Sequence, residues 1–300
     1  MKTLIVILGP TAVGKTGLSI EIAKRYNAPI LSADSRQIYK GMGIGTAAPT
    51  DEELGMVKHY FVGELELTDY YSAALYEENF LRLSEELFKT NDTLIMCGGS
   101  MMYIDAVCYG IDEIPTVSDE VRSAVMRDFA EHGLEAMCCE LRMRDPELAE
   151  KIDLKNHKRV IHAIEICRMT GTPFSTLRTN TKKMRPFNIL KIGLTRPREE
   201  LFSSISKRTD KMIAAGFESE ARMLYPLRNL NALNTVGYKE MFAYIDGVYS
   251  LDEAVEKIKR NTRVYAKKQI TWFKRDKRIH WFSPYDKDDV FIYIDSCMPK

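Results

Sequence analysis

Several common signatures are missing from this 300-residue sequence, and each absence closes off a class of protein. Near the start the longest purely apolar run is Leu4–Leu8, ended by Gly9-Pro10, which is far short of a membrane span or of the apolar stretch of a secretion signal. A cytoplasmic protein with no membrane partner is therefore expected. The six cysteines (Cys97, Cys108, Cys138, Cys139, Cys167 and Cys297) show no CxxC or other metal-ligand spacing, so reduced and mostly buried thiols are expected in place of a disulfide framework. The five histidines form no HExxH or paired-ligand pattern, which argues against a dedicated zinc site and leaves a hard cation on phosphate as the metal to expect. Net charge is close to zero, with 43 Lys plus Arg against 42 Asp plus Glu, so bulk charge alone predicts no nucleic-acid or membrane partner. No fixed-period repeat and no low-complexity linker is present, which weakens the case for a second independent domain.

What is present points to an α/β protein. Hydrophobic residues at 45% and charged residues at 28% are ordinary for a globular chain that buries a core. Leu4–Leu8, Pro29–Leu31, Thr93–Cys97 and Ile189–Leu194 are short apolar runs of the kind found in buried parallel strands, and Lys15–Tyr26 carries Leu18, Ile22 and Ala23 at helical spacing. Between Asp112 and Asn188 there are helical stretches and no convincing strand, with Ser118 as an N-cap and Asn156–Thr170 closed by Gly171. The expected organisation is a parallel-sheet core over residues 1–111 and 189–300, interrupted by a helical insertion over 112–188. Ser250 to Glu253 forms a capping box that opens a long helix, and Ile279–Phe282 is a last strand that rejoins the sheet. Charge is distributed unevenly along this frame. From Asp51 to Asp92 eleven acidic residues face three basic ones, whereas from Lys257 to Phe282 ten basic residues face Asp276 alone.

The segment Gly9-Pro10-Thr11-Ala12-Val13-Gly14-Lys15-Thr16 matches GxxxxGK[ST] between a predicted strand and a predicted helix, the context of a genuine P-loop. Successive backbone N–H groups and a helix N-terminus form an anion cradle, Lys15 adds a point charge, and the Thr16 hydroxyl is placed to hold a metal that bridges phosphate oxygens. Nucleoside triphosphates are the usual ligands, but the strand Thr93–Cys97 ends in Gly98-Gly99-Ser100 with no Walker-B carboxylate. Asp34 is the acid at the end of a predicted strand, where open α/β sheets put their ligands, and its residue type suits a metal ligand, a base or a turn aspartate.

The blocks GPTAVGKT (9–16), SADSRQIY (32–39), GIGTAAP (43–49), CGGSMMY (97–103), NHKRVIHAIEI (156–166), RTDKMIAAGF (208–217), VGYKEM (236–241) and TRVYAKKQITWF (262–273) make the sequence resemble the bacterial tRNA dimethylallyltransferases. The likeness spans nearly the whole chain. It implies a P-loop NTPase-like parallel sheet with flanking helices and a helical insertion. It also implies transfer of a dimethylallyl group from dimethylallyl diphosphate to N6 of adenosine 37 in the anticodon loop of tRNAs that read codons starting with U. By resemblance the P-loop residues Gly9 to Thr16 grip the donor's diphosphate, Thr16 holds Mg²⁺, and Arg208 reaches the same diphosphate. Asp34 then deprotonates the acceptor amine, and Ser100, where the family usually has Thr, sits beside the reacting adenosine. Ser35, Arg36 and Gln37, together with Arg122, Lys158 and Arg159 of the insertion, match its contacts to the anticodon stem-loop. The expected protein is a monomer. Departures from the pattern are Met101-Met102 for Gly-Leu, His162 for Arg, Ala48 for Lys and Tyr60 for His.

Several alternatives compete with these readings. Arg208 is also able to pair with Asp210 or a nearby glutamate on a solvated helix face, and Trp272 and Phe273 suit a buried helix face better than RNA stacking, whereas the basic residues opposite suit RNA. Met102, Tyr103 and Tyr39 either wall a prenyl channel or are ordinary packing. A small-molecule P-loop kinase, a prenyltransferase of free adenine nucleotides and a non-catalytic RNA-binding NTPase share parts of the pattern. An all-helical prenyl-diphosphate synthase is disfavoured because no DDxxD cluster is present.

Overall fold

Apolar β-rich runs bounded by Gly, Pro and polar turns build the sheet, and the segments of helical period between them supply the layers around it. The computed structural model describes residues 2–179 and 181–298. The element order is β1 (Thr3–Leu8), α1 (Lys15–Tyr26), β2 (Ile30–Ala33), α2 (Asp51–Met56), β3 (His59–Tyr60), α3 (Ala73–Thr90), β4 (Thr93–Gly98) and α4 (Met101–Tyr109). The helical region follows as α5 (Asp119–Arg144), α6 (Pro146–Lys151), α7 (His157–Thr170) and α8 (Phe174–Leu177). The chain then returns through β5 (Asn188–Leu194), α9 (Arg198–Ala214), α10 (Phe217–Leu224), α11 (Tyr238–Ile245), α12 (Leu251–Phe273), β6 (His280–Phe282) and α13 (Lys287–Cys297).

The chain divides into two compact units, one made of residues 1–108 and 185–300 and the other of 109–184. In the first, six strands form a parallel sheet in the order β3-β2-β4-β1-β5-β6. The central strand β1 is completely buried, as a strand covered on both faces must be. One core cluster joins Ile5, Ile7 and Ile192 of the sheet to Leu18 and Ile22 of α1, Leu201 and Ile205 of α9, and Val290 and Ile294 of α13. Leu4, Val6 and Leu8 are equally buried and alternate to the opposite face. All strands run the same way, so the turns after β1, β2, β4, β5 and β6 gather at one edge, where such sheets hold ligands. No helix among the described residues is long and apolar enough to cross a membrane.

In the second unit α5, kinked at Gly133, packs with α7 around Val125, Leu141, Val160 and Ile164. The fully buried Asp145 caps α6 through the Leu148 N–H (3.1 Å) and accepts from the Ser175 N–H and hydroxyl, both at 2.7 Å. Its buried carboxylate is therefore satisfied on several sides.

The caps at Ser118, Asn156 and Ser250 and the parallel β6 are found where the sequence places them. The strand expected at Pro29–Leu31 runs on to Ala33, because Ser32 and Ala33 pair with Cys97 and Gly98 of β4. The short edge strand β3 and the helices α2 and α13 have no counterpart in the sequence reading. Four cysteines are buried or half-buried, while Cys139 and Cys297 are exposed, and no thiol among the described residues is bridged.

Candidate active site

The turn between β1 and α1 carries the P-loop. Gly14 sits at the N-cap of α1 in a left-handed conformation (φ 109°), which opens the helix directly onto Lys15. The Lys15 side chain is half-buried, and its ammonium folds back onto the carbonyl oxygens of Gly9 (3.1 Å) and Pro10 (2.8 Å). Burial lowers its pKa to about 8, with Cys97 and Asp34 opposing the shift and the Arg208 charge adding to it. The hydroxyl of Thr16 has no hydrogen-bond partner among the described residues.

Two residues outside the motif hold the loop. The amide of Gln269, almost fully buried on α12, accepts from the Thr11 N–H at 2.9 Å and donates to the Gly99 carbonyl at 2.8 Å. It ties the turn after β1 to the turn after β4. The Arg196 Nε donates to the Val13 carbonyl at 2.9 Å. Replacing Gln269 by Ala orphans a backbone donor and a backbone acceptor, each worth about 1–3 kcal/mol when left unpaired inside a protein. Chemical denaturation of Gln269→Ala is expected to show a loss of that order.

Asp34 follows β2, and its Oδ1 accepts from the backbone N–H groups of Arg36 (2.9 Å) and Gln37 (3.3 Å). This is an Asx-type turn that fixes the carboxylate and leaves Oδ2 without a partner among the described residues. Ser100 is brought alongside because its hydroxyl accepts from the Ser35 N–H at 2.8 Å and its own N–H donates to the Ala33 carbonyl at 3.0 Å. The approach needs a glycine, since a Cβ on Gly98 would lie 2.1 Å from the Ala33 carbonyl oxygen. The Arg36 guanidinium donates to the Asn231 and Ala232 carbonyls at 2.8 and 3.1 Å. Gln37 spends its amide on Ser32, Thr46 and Ala47.

A cavity of about 430 Å³ is shared by Thr11 of the P-loop, Asp34, Ser35, Arg36, Arg208 and Tyr265. Arg208, on α9, has its Nε buried without a hydrogen-bond partner among the described residues, and desolvation lowers its pKa while Asp34 opposes the shift. The rival arrangement, in which Arg208 pairs with Asp210, is not adopted, because Asp210 pairs with Lys259 at 2.8 Å. An unpaired buried cation beside an anion cradle leaves room for a second negative group. Burial raises the Tyr265 pKa to about 12, with Asp34 adding to it, so its phenol stays neutral at the edge of the cavity.

The remaining expected residues lie in the helical unit. Arg122 on α5 and His162 on α7 both approach the buried Glu165, at 3.6 and 3.5 Å, while Lys158 and Arg159 stand exposed in the first turn of α7. Sequence reasoning gave no role to Gln269, Arg196 or Glu220. The buried Glu220 holds the Ile44 and Gly45 N–H groups (2.8 and 2.7 Å) and the Tyr238 hydroxyl (2.6 Å), fixing the 43–47 loop at the cavity rim. Each of the two buried polar residues interrupts an apolar helix face, Gln269 between Ala266 and Phe273 and Glu220 between Phe217 and Leu224, and that interruption is the available signal.

The family model described as IPP transferase matches residues 37–276. The chain is 57% identical to a tRNA dimethylallyltransferase 2 of Parabacteroides distasonis, covering 98% of each protein. It is 54% identical to a tRNA dimethylallyltransferase 1 of Bacteroides fragilis, again covering 98% of each. The chain belongs to the IPP transferase family, among its tRNA dimethylallyltransferases. The full-length tRNA isopentenylpyrophosphate transferase of Bacillus halodurans superposes with a TM-score of 0.72 at 33% identity, covering 99% of this chain and 96% of that one. A eukaryotic dimethylallyltransferase, described as acting on tRNA, shares the fold with a TM-score of 0.81 at 24% identity, covering 95% of this chain and 75% of its own. Against the tRNA dimethylallyltransferase pattern, Met102 is exposed, while Tyr103 stacks on Tyr76 with ring centroids 4.2 Å apart and belongs to the packing. Trp272 is half-buried and donates its indole N–H to Asp105 at 2.7 Å, and Phe273 is core.

Proposed function

We propose that the chain transfers the dimethylallyl group of dimethylallyl diphosphate to N6 of adenosine 37 in the anticodon stem-loop of tRNAs reading codons that start with U. The observation that carries this reading is the single cavity in which the P-loop, the fixed carboxylate of Asp34 and the unpaired Arg208 meet. The donor's diphosphate lies in the P-loop of Gly9 to Thr16, on the backbone N–H groups at its C-terminal end, since Pro10 has none and the Thr11 N–H is given to Gln269, with Lys15 and Arg208 neutralising the charge that grows as the C1–O bond breaks. The exocyclic amine is a weak nucleophile because its lone pair is delocalised into the purine. As the N6–C1 bond forms, the proton on N6 passes to Asp34 Oδ2 and diphosphate leaves with the bonding pair. Ser100 Oγ accepts from the Ser35 N–H and retains its own O–H for the incoming base.

Reaching that carboxylate requires the base to leave its stack, and neighbouring nucleotides must then be gripped. Ser35 and Arg36 at the cavity and Arg122, Lys158 and Arg159 on the helical unit are the proposed contacts, with Gln37 bracing the acceptor turn from within. Basic residues exposed along α12, among them Lys267 and Lys268, add phosphate contacts. Mg²⁺ is the metal these groups fit. Among the described residues no three His, Cys, Asp or Glu side chains cluster to cage an ion, and the Thr16 hydroxyl beside a diphosphate is the sparse donor set of a cation that keeps its waters. When bound, the metal offsets charge on the leaving diphosphate.

The test is transfer of radiolabelled dimethylallyl diphosphate to anticodon stem-loops with A or G at the target. Label is expected on the adenosine substrate alone, with no ATP consumed. Transfer to both, or to neither, overturns the reading.

A further inference from the structure

Arg196 is absent from every motif in the sequence, yet with Gln269 it is one of two side chains that hold the P-loop from outside. It lies two residues beyond β5, half-buried, with Nε on the Val13 carbonyl (2.9 Å) and one terminal nitrogen 2.9 Å from the Tyr285 hydroxyl. Its guanidinium carbon stands 4.8 Å from the Tyr285 ring centroid, so the side chain is held in place by a hydrogen bond and a cation–π contact together. Its other terminal nitrogen would be 3.2 Å from a Cβ placed on Gly14.

The Val13 carbonyl and the Gly14 N–H belong to one planar trans peptide and point in opposite directions. Whatever fixes the carbonyl therefore aims the N–H. Gly14 has a left-handed φ, and a glycine there has little steric preference to hold that plane by itself. We propose that Arg196 is a positioning residue of the donor site: by holding the Val13 carbonyl outward it presents the Gly14 N–H inward, to the diphosphate. Gln269 acts differently at Thr11, holding the loop from α12 by accepting that residue's N–H, which is thereby withdrawn from the donor. Arg196 differs in carrying a fixed positive charge beside the cradle, so its removal weakens anion binding twice, through geometry and through field.

This inference rests on the cradle holding the donor's diphosphate. Steady-state kinetics on Arg196→Ala, Arg196→Lys and Tyr285→Phe, with labelled donor and the adenosine stem-loop, separates the two claims. Arg196→Ala is expected to raise the donor KM, and the inhibition constant of inorganic diphosphate, by roughly tenfold each, the size of one charge-assisted hydrogen bond. The RNA KM and kcat should stay near wild-type values while the melting temperature falls modestly for the unpaired Val13 carbonyl, whereas a merely structural role would lower stability without a selective rise in donor KM and diphosphate inhibition. Arg196→Lys, which keeps the charge and loses the planar fork, should recover part of the effect, and Tyr285→Phe should change donor KM by less than Arg196→Ala does. Unchanged donor KM and diphosphate inhibition in Arg196→Ala overturn the proposal, as does a parallel rise in RNA KM. Failure of the wild-type enzyme to consume the donor overturns the reading of the site instead.

Discussion

Asp34→Asn is expected to slow prenyl transfer by on the order of 10² to 10⁴ while donor KM changes by no more than about twofold. Asparagine is nearly isosteric, and its amide oxygen is able to accept from the Arg36 and Gln37 N–H groups as Oδ1 does now, so the turn survives. What it lacks is a lone-pair oxygen basic enough to take the N6 proton. Single-turnover reactions with pre-bound donor isolate this step from binding. A wild-type rate in the variant would show that the carboxylate does not act as the base.

The second large effect concerns Lys15 and pH. With its pKa lowered to about 8 by burial, Lys15 is ammonium below that pH and loses its proton above it in the free enzyme. On the proposed function the ammonium is the form that attracts the donor's diphosphate. The donor kcat/KM is therefore expected to hold level up to about pH 8 and then to fall towards tenfold per pH unit. At saturating donor the negative charge of the diphosphate keeps the proton on, so the break in kcat moves to higher pH. Lys15→Met should remove that break and lower kcat/KM by about 10² to 10³, the range seen when one donor is taken from a developing anion. A profile for Lys15→Met that still breaks near pH 8 would place the titration on another group.

The P-loop was legible because its parts are contiguous: one run of eight residues carries both the motif and the strand-to-helix context. Strands β1 and β4 were legible because a strand buried on both faces is almost continuously apolar and nothing of helical period competes in runs so short, and β5 was legible although the buried Lys191, paired with Asp276, interrupts it. β3 was not, since two residues, His59 and Tyr60, make no pattern and become a strand only by pairing with Ile30 and Leu31. The same distinction governs the site. Asp34 could be located at a strand end, but its choice among base, metal ligand and turn aspartate rests on resemblance; the fold adds that Oδ1 caps a turn through two backbone amides while Oδ2 stays without a partner among the described residues. Gln269 meets Thr11 across 258 positions of sequence, and Arg196 meets Val13 across 183. No local pattern encodes contacts that only the closed sheet brings together.

Those long separations also bear on how the protein is made. The P-loop precedes these partners in the chain, so it leaves the ribosome before them. Its strand cannot be flanked on both sides until Asn188–Leu194 has emerged, and its Thr11 amide finds no partner until Gln269 follows. The earliest synthesised part of the donor site is thus among the last to reach its working shape, and a chain interrupted before α12 would carry the complete motif without a finished cradle.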